Sequence, residues 1–433
     1  MLSEKHRGRI IEACEILRAA ERPVRVLRSI SWPPEVAASF FAKGAREMPE
    51  VRYTPIDPSA VTELVEKARR LADGSSPIHT WLQRVAGTIS TGARMIAAIG
   101  TPDFHHYSVE LYRSPTEPIL DEVTQPLALA RQIAETLAVF IQDPDNGKSD
   151  VPMAATMTAE EIGARMRPIL LRFFGNHTPQ IDIVDTLSAN ALAGSRYIRL
   201  RRGAAFSERD LQQLVQHEAF IHIGTSLNGR EQSMLPILAA GHPGTTRTQE
   251  GLAVFAEMIS GSMDPARMRR LANRVIAIQM AIEGADFLDI YRFFLEHETK
   301  PQQAFESARR VVRGGVLSGG APFTKDVVYL EGLLGVHNFL RATVQFGRLD
   351  CLHLLFCGKL DVEDLPAMVM LAENGLCKFP KFLPPWAADS GFLISYLAYS
   401  SFLNQVNLDR VRLHYSNLLA NVPKLDIPAW QAE

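Results

Sequence analysis

The sequence predicts a mainly α-helical protein of the α+β type, with a small β element placed just before one unusual helix. Three observations carry that expectation. Apolar residues recur at 3.6-residue spacing along most of the 433 positions. Period-two alternation is confined to residues 181–184 and 197–201. A composition of 46% hydrophobic and 22% charged residues is that of a globular chain with a sizeable core.

The elements follow in order. Residues 4–30 read as a helix with Ile10, Ile11, Cys14, Ile16 and Leu17 inward, ended by Trp32-Pro33-Pro34. Further helices are expected at 58–72, 78–98 and 122–142, with His105-His106 in a polar, loop-like setting between them. The run 143–150 is polar and rich in turn formers, which makes it a linker between an N-terminal helical region, 1–150, and a region 151–433. Thr158 followed by Glu160 and Glu161 opens the next helix. The two strand-like runs come next, joined by a loop containing Gly194. Ser207 then caps a helix, with Asp210 three residues on completing a capping box. Beyond residue 264 the chain reads as helical to about 418, apart from an aromatic loop around Trp386 that either packs on the core or lines a pocket.

Forty-six basic against 48 acidic side chains leave a net charge of −2, so nothing draws the whole chain to nucleic acid or membrane. Cys14, Cys351, Cys357 and Cys377 form no CxxC pair, which speaks for a reducing compartment and against a cysteine-held zinc. The first residues lead into an amphipathic pattern, and no apolar run reaches membrane-spanning length. A cytoplasmic location is expected.

The chemistry is concentrated in His217-Glu218-Ala219-Phe220-Ile221-His222 and Gln249-Glu250-Gly251-Leu252-Ala253. Two histidines and a carboxylate make a three-ligand zinc set that leaves a position for water, whose pKa then falls to about 7. His217, His222 and Glu250 are the ligand candidates, and Glu218 is the candidate general base. The spacing is unusual. HExxH puts its histidines one α-turn apart, whereas here they are i,i+5 and would diverge by about 140° on an α-helix. Either the pair is an accident of two packed histidines, or a π-bulge widens the helix to bring them together. Thr246 and Gln249 are expected to cap the second helix and hold Glu250 in its first turn, with Gly251 and Ala253 letting it approach the first helix closely. His242, in Gly-His-Pro-Gly, reads as a turn, and the stretch 226–244 as a connector or cleft wall.

Downstream, Arg309-Arg310-Val311-Val312-Arg313-Gly314-Gly315 leads to Gly319-Gly320-Ala321-Pro322-Phe323-Thr324-Lys325-Asp326 and Tyr329. A glycine-rich loop entering a helix beside Arg and Lys is an anion site by chemistry, without Walker order. Lys325 and Arg313 are candidates for a substrate carboxylate, and Tyr329 for donation to an oxyanion.

These residues give the chain a recognisable likeness. HExxxH at 217–222, QEGLA at 249–253 and Phe323-Thr324-Lys325-Asp326 with Tyr329-Leu330 resemble the family of microtubule-associated tyrosine carboxypeptidases and their bacterial QEGLA-motif relatives, over roughly residues 110–345. The resemblance implies one Zn2+ per chain held by His217, His222 and Glu250, with Glu218 as catalytic glutamate. It also implies a zincin-like core in which a small sheet lies beside the active helix. The expected reaction is hydrolysis of a C-terminal peptide bond, with a peptide or protein C-terminus as substrate and a preference for terminal Tyr or Phe. Two alternatives stay open at this point, a regulatory binding protein with a structural metal and a metal-dependent small-molecule amidase.

Overall fold

The computed structural model describes residues 2–54, 56–141, 156–185, 187, 190–297, 300–403 and 408–420; the linker expected at 143–150 lies outside them. The architecture is mainly α, with one three-stranded sheet. Among the described residues no helix is long and apolar enough to cross a membrane.

Helices occur at Glu4–Glu21, Ser59–Leu71 and Pro77–Ala97. The first is shorter than its apolar pattern implied, because Pro23 lacks the N–H that would continue it and the chain restarts only at Val26–Ser29. The helix expected from 122 starts at Pro126, which sits where a missing N–H costs nothing. His105-His106 lies inside a helix, Pro102–Tyr112, and not in a loop: Pro102 is its opening residue after Thr101, so a presumed breaker is a start signal.

Thr158 and Glu161 form a reciprocal capping box for Ala159–Phe174. The sheet follows, in order β1-β3-β2, with β1 Gln180–Val184, β2 Ala191–Ala193 and β3 Tyr197–Arg201. β3 runs parallel to β1 and antiparallel to β2, a strand within the stretch that the sequence reading treated as loop. Ile198 and Leu200 point inward with full burial, as period two requires. β2, at the sheet edge, lies against the helix bearing the HExxxH motif.

Three apolar cores result among the described residues. The largest joins N-terminal residues such as Leu17, Leu82 and Ile89 with Leu252, Phe255, Leu330 and Phe356. A second, around the sheet, contains Ile162, Leu170, Leu200, Leu214, Val215 and Phe220. A third gathers Trp32, Phe40, Phe287, Tyr291 and Phe305. The motif helix sits between the first two, sending Ile221 to one and Phe220 and Ile223 to the other. Trp386 packs on Phe255 and Phe356, with ring centroids 5.2 and 5.8 Å away.

Thr246–Ile259 and Val328–Gln345 pack face to face because two glycines meet. A Cβ on Gly251 would stand 2.2 Å from the Gly332 carbonyl oxygen, and one on Gly332 would stand 2.3 Å from that of Arg247. Gly251 therefore serves this contact and not the approach to the motif helix that its small size suggested. Gly251→Ala should lower unfolding stability by about 2 kcal/mol or more, since backbone must move. Gly335→Ala, in open space on the same helix, should be neutral or gain about 0.5–1 kcal/mol. Urea unfolding of both variants checks this, and equal stability would contradict the close helix contact.

Candidate active site

The motif helix begins with the expected capping box: Ser207 Oγ accepts from the Asp210 amide and Asp210 accepts from the Ser207 amide. Glu208–Gln213 is α-helical, Leu214–Ile223 is π-helical, and Gly224–Glu231 returns to α, so part of the expected connector is helix. An i→i+5 turn places residue 222 over residue 217 by construction. The two imidazole rings stand 4.9 Å apart, almost perpendicular. The wide turn brings extra donors to its carbonyls: Thr225 Oγ1 donates to the Ile221 oxygen at 2.7 Å, and Lys359 Nζ to that of His222 at 2.9 Å.

Glu250 comes from Thr246–Ile259. It sits just past the first turn, and the helix start carries no side-chain cap; Thr246 Oγ1 instead reaches the His242 carbonyl. Gln249 is occupied in binding, its Oε1 accepting from Lys359 Nζ at 3.0 Å and lying 2.8 Å from Thr225 Oγ1. These bonds tie the two helices together.

The ligand atoms of His217, His222 and Glu250 all lie within 4.8 Å of one another. Glu250 Oε2 is 3.7 Å from His217 Nε2 and 3.6 Å from His222 Nε2, while its Oε1 accepts from Lys325 Nζ at 2.9 Å. Each carboxylate oxygen thus faces one side. Behind His217, Nδ1 meets Glu257 Oε1 at 2.5 Å, and Arg267 holds Glu257 through two N–H donors at 3.1 and 3.2 Å. Glu218 Oε1 is 3.9 Å from His217 Nε2 and remains partly exposed, at 22% of its side chain.

The electrostatics suit a cation. Burial opposes a charge on His217, yet hydrogen bonds to Glu250 and Glu257 outweigh it and push its pKa up to about 10. His222 moves down, first through burial and then through Lys359. Against its burial, Glu250 is held well below the usual carboxylate range by the Lys325 ammonium and then by both imidazoles. Glu257, also resisting burial, falls to about 2 beside Arg267 and His217. Burial brings Lys359 down to about 8.

Of the three candidate substrate groups, Lys325 is brought into the site but onto Glu250, with Tyr329 Oη 3.4 Å from its Nζ. Arg313 is buried, its guanidinium carbon 5.9 Å from the Phe323 ring centre, and its Nε has no hydrogen-bond partner. Tyr112 links the two, lying in the fields of Lys325, Arg313 and Glu250, and lines a polar cavity of about 470 Å³ with Arg84, Arg113, Arg247 and Glu331. None of His217, Glu218, His222 and Glu250 lines that cavity. The glycine-rich loop does not offer its amides to an anion. Gly314, Gly315, Val316, Gly319, Gly320, Phe323 and Thr324 donate to Tyr53 Oη, Ser108 Oγ or backbone carbonyls. His242 is buried as a turn residue, 3.3 Å from Thr88 Oγ1.

Glu257, Arg267 and Lys359 were not singled out in the sequence. Glu257 carried a signal: it lies seven residues after Glu250, two turns along the same helix face. Lys359, more than a hundred residues downstream and outside any helix, carried none.

No match was found among curated proteins. The profile of one family, described as microtubule-associated tyrosine carboxypeptidase, matches residues 38–405, which takes in both helices of the site and extends well beyond the 110–345 marked by the motifs. With most of its length matched and with HExxxH and QEGLA meeting at one point, the chain belongs to the microtubule-associated tyrosine carboxypeptidase (MATCAP) family.

Proposed function

We propose that the chain is a zinc-dependent carboxypeptidase that removes a C-terminal Tyr or Phe from a peptide or protein. One observation carries the reading: two imidazole nitrogens and a carboxylate oxygen converge across a π-turn, next to a glutamate kept free for proton transfer. The donor set fits zinc: a zinc ion would take the place of the proton that His217 otherwise carries, so that two imidazoles and one carboxylate would hold it and leave a position open. A bound zinc ion supplies Lewis acidity and brings the pKa of water near 7.

The chain's own groups do the rest. Glu257 fixes the His217 tautomer by holding Nδ1, so that Nε2 faces Glu250 and Glu218. Lys325 orients Glu250 by occupying Oε1. Glu218, the least enclosed of the four, takes a proton from water and delivers it to the leaving amine. Tyr329 Oη, anchored near Lys325, donates to the oxyanion that forms at the scissile carbonyl. Arg313, whose Nε lacks a partner, is the cation for the substrate's terminal carboxylate. The edge strand β2 beside the motif helix offers backbone to an extended peptide. The family name supports the preference for tyrosine.

Glu218→Gln should cut turnover by at least about 100-fold, because proton transfer is lost, while zinc content stays at one per chain. His217→Ala should lose the zinc. Both are read by metal analysis together with release of the terminal residue from peptides ending in Tyr, Phe, Leu or Glu, and from the Tyr peptide as its amide. Full activity of Glu218→Gln, or equal cleavage of the amidated peptide, would sink the assignment. Glu257→Gln should weaken zinc binding about 10- to 100-fold in chelator competition while the far-UV circular dichroism is unchanged. Unaltered affinity would mean that the Nδ1 contact does not orient His217.

A further inference from the structure

Outside the site, Cys357 and Cys377 stand out because their sulfurs touch. Both are buried, and the Sγ atoms are 3.6 Å apart, the nearest approach of any two thiols among the described residues. Neither thiol is needed for the chemistry above. The loops that carry them are held in register by two side chains of the segment that continues the motif helix. Asn228 Nδ2 donates to the carbonyls of Phe356 and Phe382, and Asn228 Oδ1 accepts from the amides of Lys381 and Phe382. Gln232 Nε2 donates to the carbonyls of Cys357 and Lys378, and its Oε1 accepts from the Lys378 amide. The two thiols are thus presented to each other by a fixed frame. The sulfurs would have to close from 3.6 Å to a bond of about 2.05 Å.

We propose that Cys357 and Cys377 form a reversible disulfide, a modification site driven by a two-electron oxidant of the hydroperoxide class. Cys377, the slightly more exposed of the two, attacks one peroxide oxygen as a thiolate; the O–O bond breaks and the other oxygen leaves as water after taking a proton. The sulfenic acid so formed is attacked by the Cys357 sulfur, which loses its proton. The S–O bond breaks, a second water departs and the S–S bond forms. Two thiols and one hydrogen peroxide give one disulfide and two waters. The hydrogen bond between the thiols lowers the Cys377 pKa, which favours it as the first nucleophile.

The consequence reaches the active site. Cys357 is two residues from Lys359, whose ammonium holds the His222 carbonyl and Gln249. A staple between the two loops fixes the strand of chain that supports the π-turn. It also closes a loop across residues 357–377 and removes conformations from the unfolded chain.

The test uses the full chain, reduced and then exposed to hydrogen peroxide under native conditions. After denaturation and alkylation the protein should carry two adducts in place of four, the unalkylated chain should be 2 Da lighter, and a cross-linked peptide should join Cys357 to Cys377. A phosphine reductant should reverse both changes. The oxidised protein should melt several degrees higher than the reduced form. Cys377→Ser should abolish the cross-link and the shift, while Cys14→Ser/Cys351→Ser keeps both. Four free thiols after peroxide, sulfinic acid at Cys377 without a cross-link, or a cross-link that forms only above the melting temperature would each overturn the proposal.

Discussion

A helix that must bring side chains five residues apart to one point cannot keep α geometry there, and much of this site is arranged around that constraint. Over Leu214–Ile223 the backbone adopts i→i+5 bonding, which is intrinsically unfavourable and survives only where neighbours specify it. Three sets of contacts do so. Ser207 and Asp210 fix where the helix begins, and therefore its phase at His217. Phe220 and Ile223 enter the sheet core while Ile221 enters the main core, so the widened turn is gripped from both sides. Lys359 and Thr225 reach the carbonyls of His222 and Ile221, both within the widened turn.

The same economy governs charge. Arg267, Glu257, His217, Glu250 and Lys325 form a buried series in which charges alternate from one end to the other. Buried charges are tolerable only when each is paired and hydrogen-bonded, and removing one member leaves its neighbour stranded. The series also fixes directions. Glu257 can hold Nδ1 firmly because Arg267 keeps it ionised, and Glu250 can present one oxygen to both imidazoles because Lys325 takes the other. Such preorganisation is what a metal-ligand set requires.

Much of this was legible in the sequence, because the signals were local. The capping box at Ser207, the strand alternation at Ile198 and Leu200, and the i,i+5 anomaly itself each state their structural meaning within a few residues. What failed depended on long-range packing. Gly251 looked like a spacer towards the motif helix, but its partner is Gly332, eighty-one residues on, which no periodicity reveals. The helix at Pro102–Tyr112 was hidden because Pro102 and two adjacent histidines resemble a loop until the proline is placed at a helix start. The glycine-rich loop looked like an anion nest, yet its amides were already committed to Tyr53, Ser108 and nearby carbonyls.

Under the proposed function, those commitments shape how a carboxylate would be read beside His217, His222 and Glu250. Lys325 is committed mainly to Glu250, its buried ammonium standing 2.9 Å from one carboxylate oxygen and 3.4 Å from Tyr329 Oη. Pulling it away would strand Glu250 in a medium that penalises unpaired charge. A buried guanidinium with an unused N–H is the opposite case. Arg313 bears the desolvation cost without full compensation, and such a cost is recovered when an anion with planar geometry arrives. On the proposed carboxypeptidase reading, Lys325 would govern how firmly Glu250 is held and Arg313 which substrates bind. Under the proposed function, selection for a free C-terminus would then rest on Arg313, and the reason, the Lys325 contact with Glu250, is one that the sequence does not make visible.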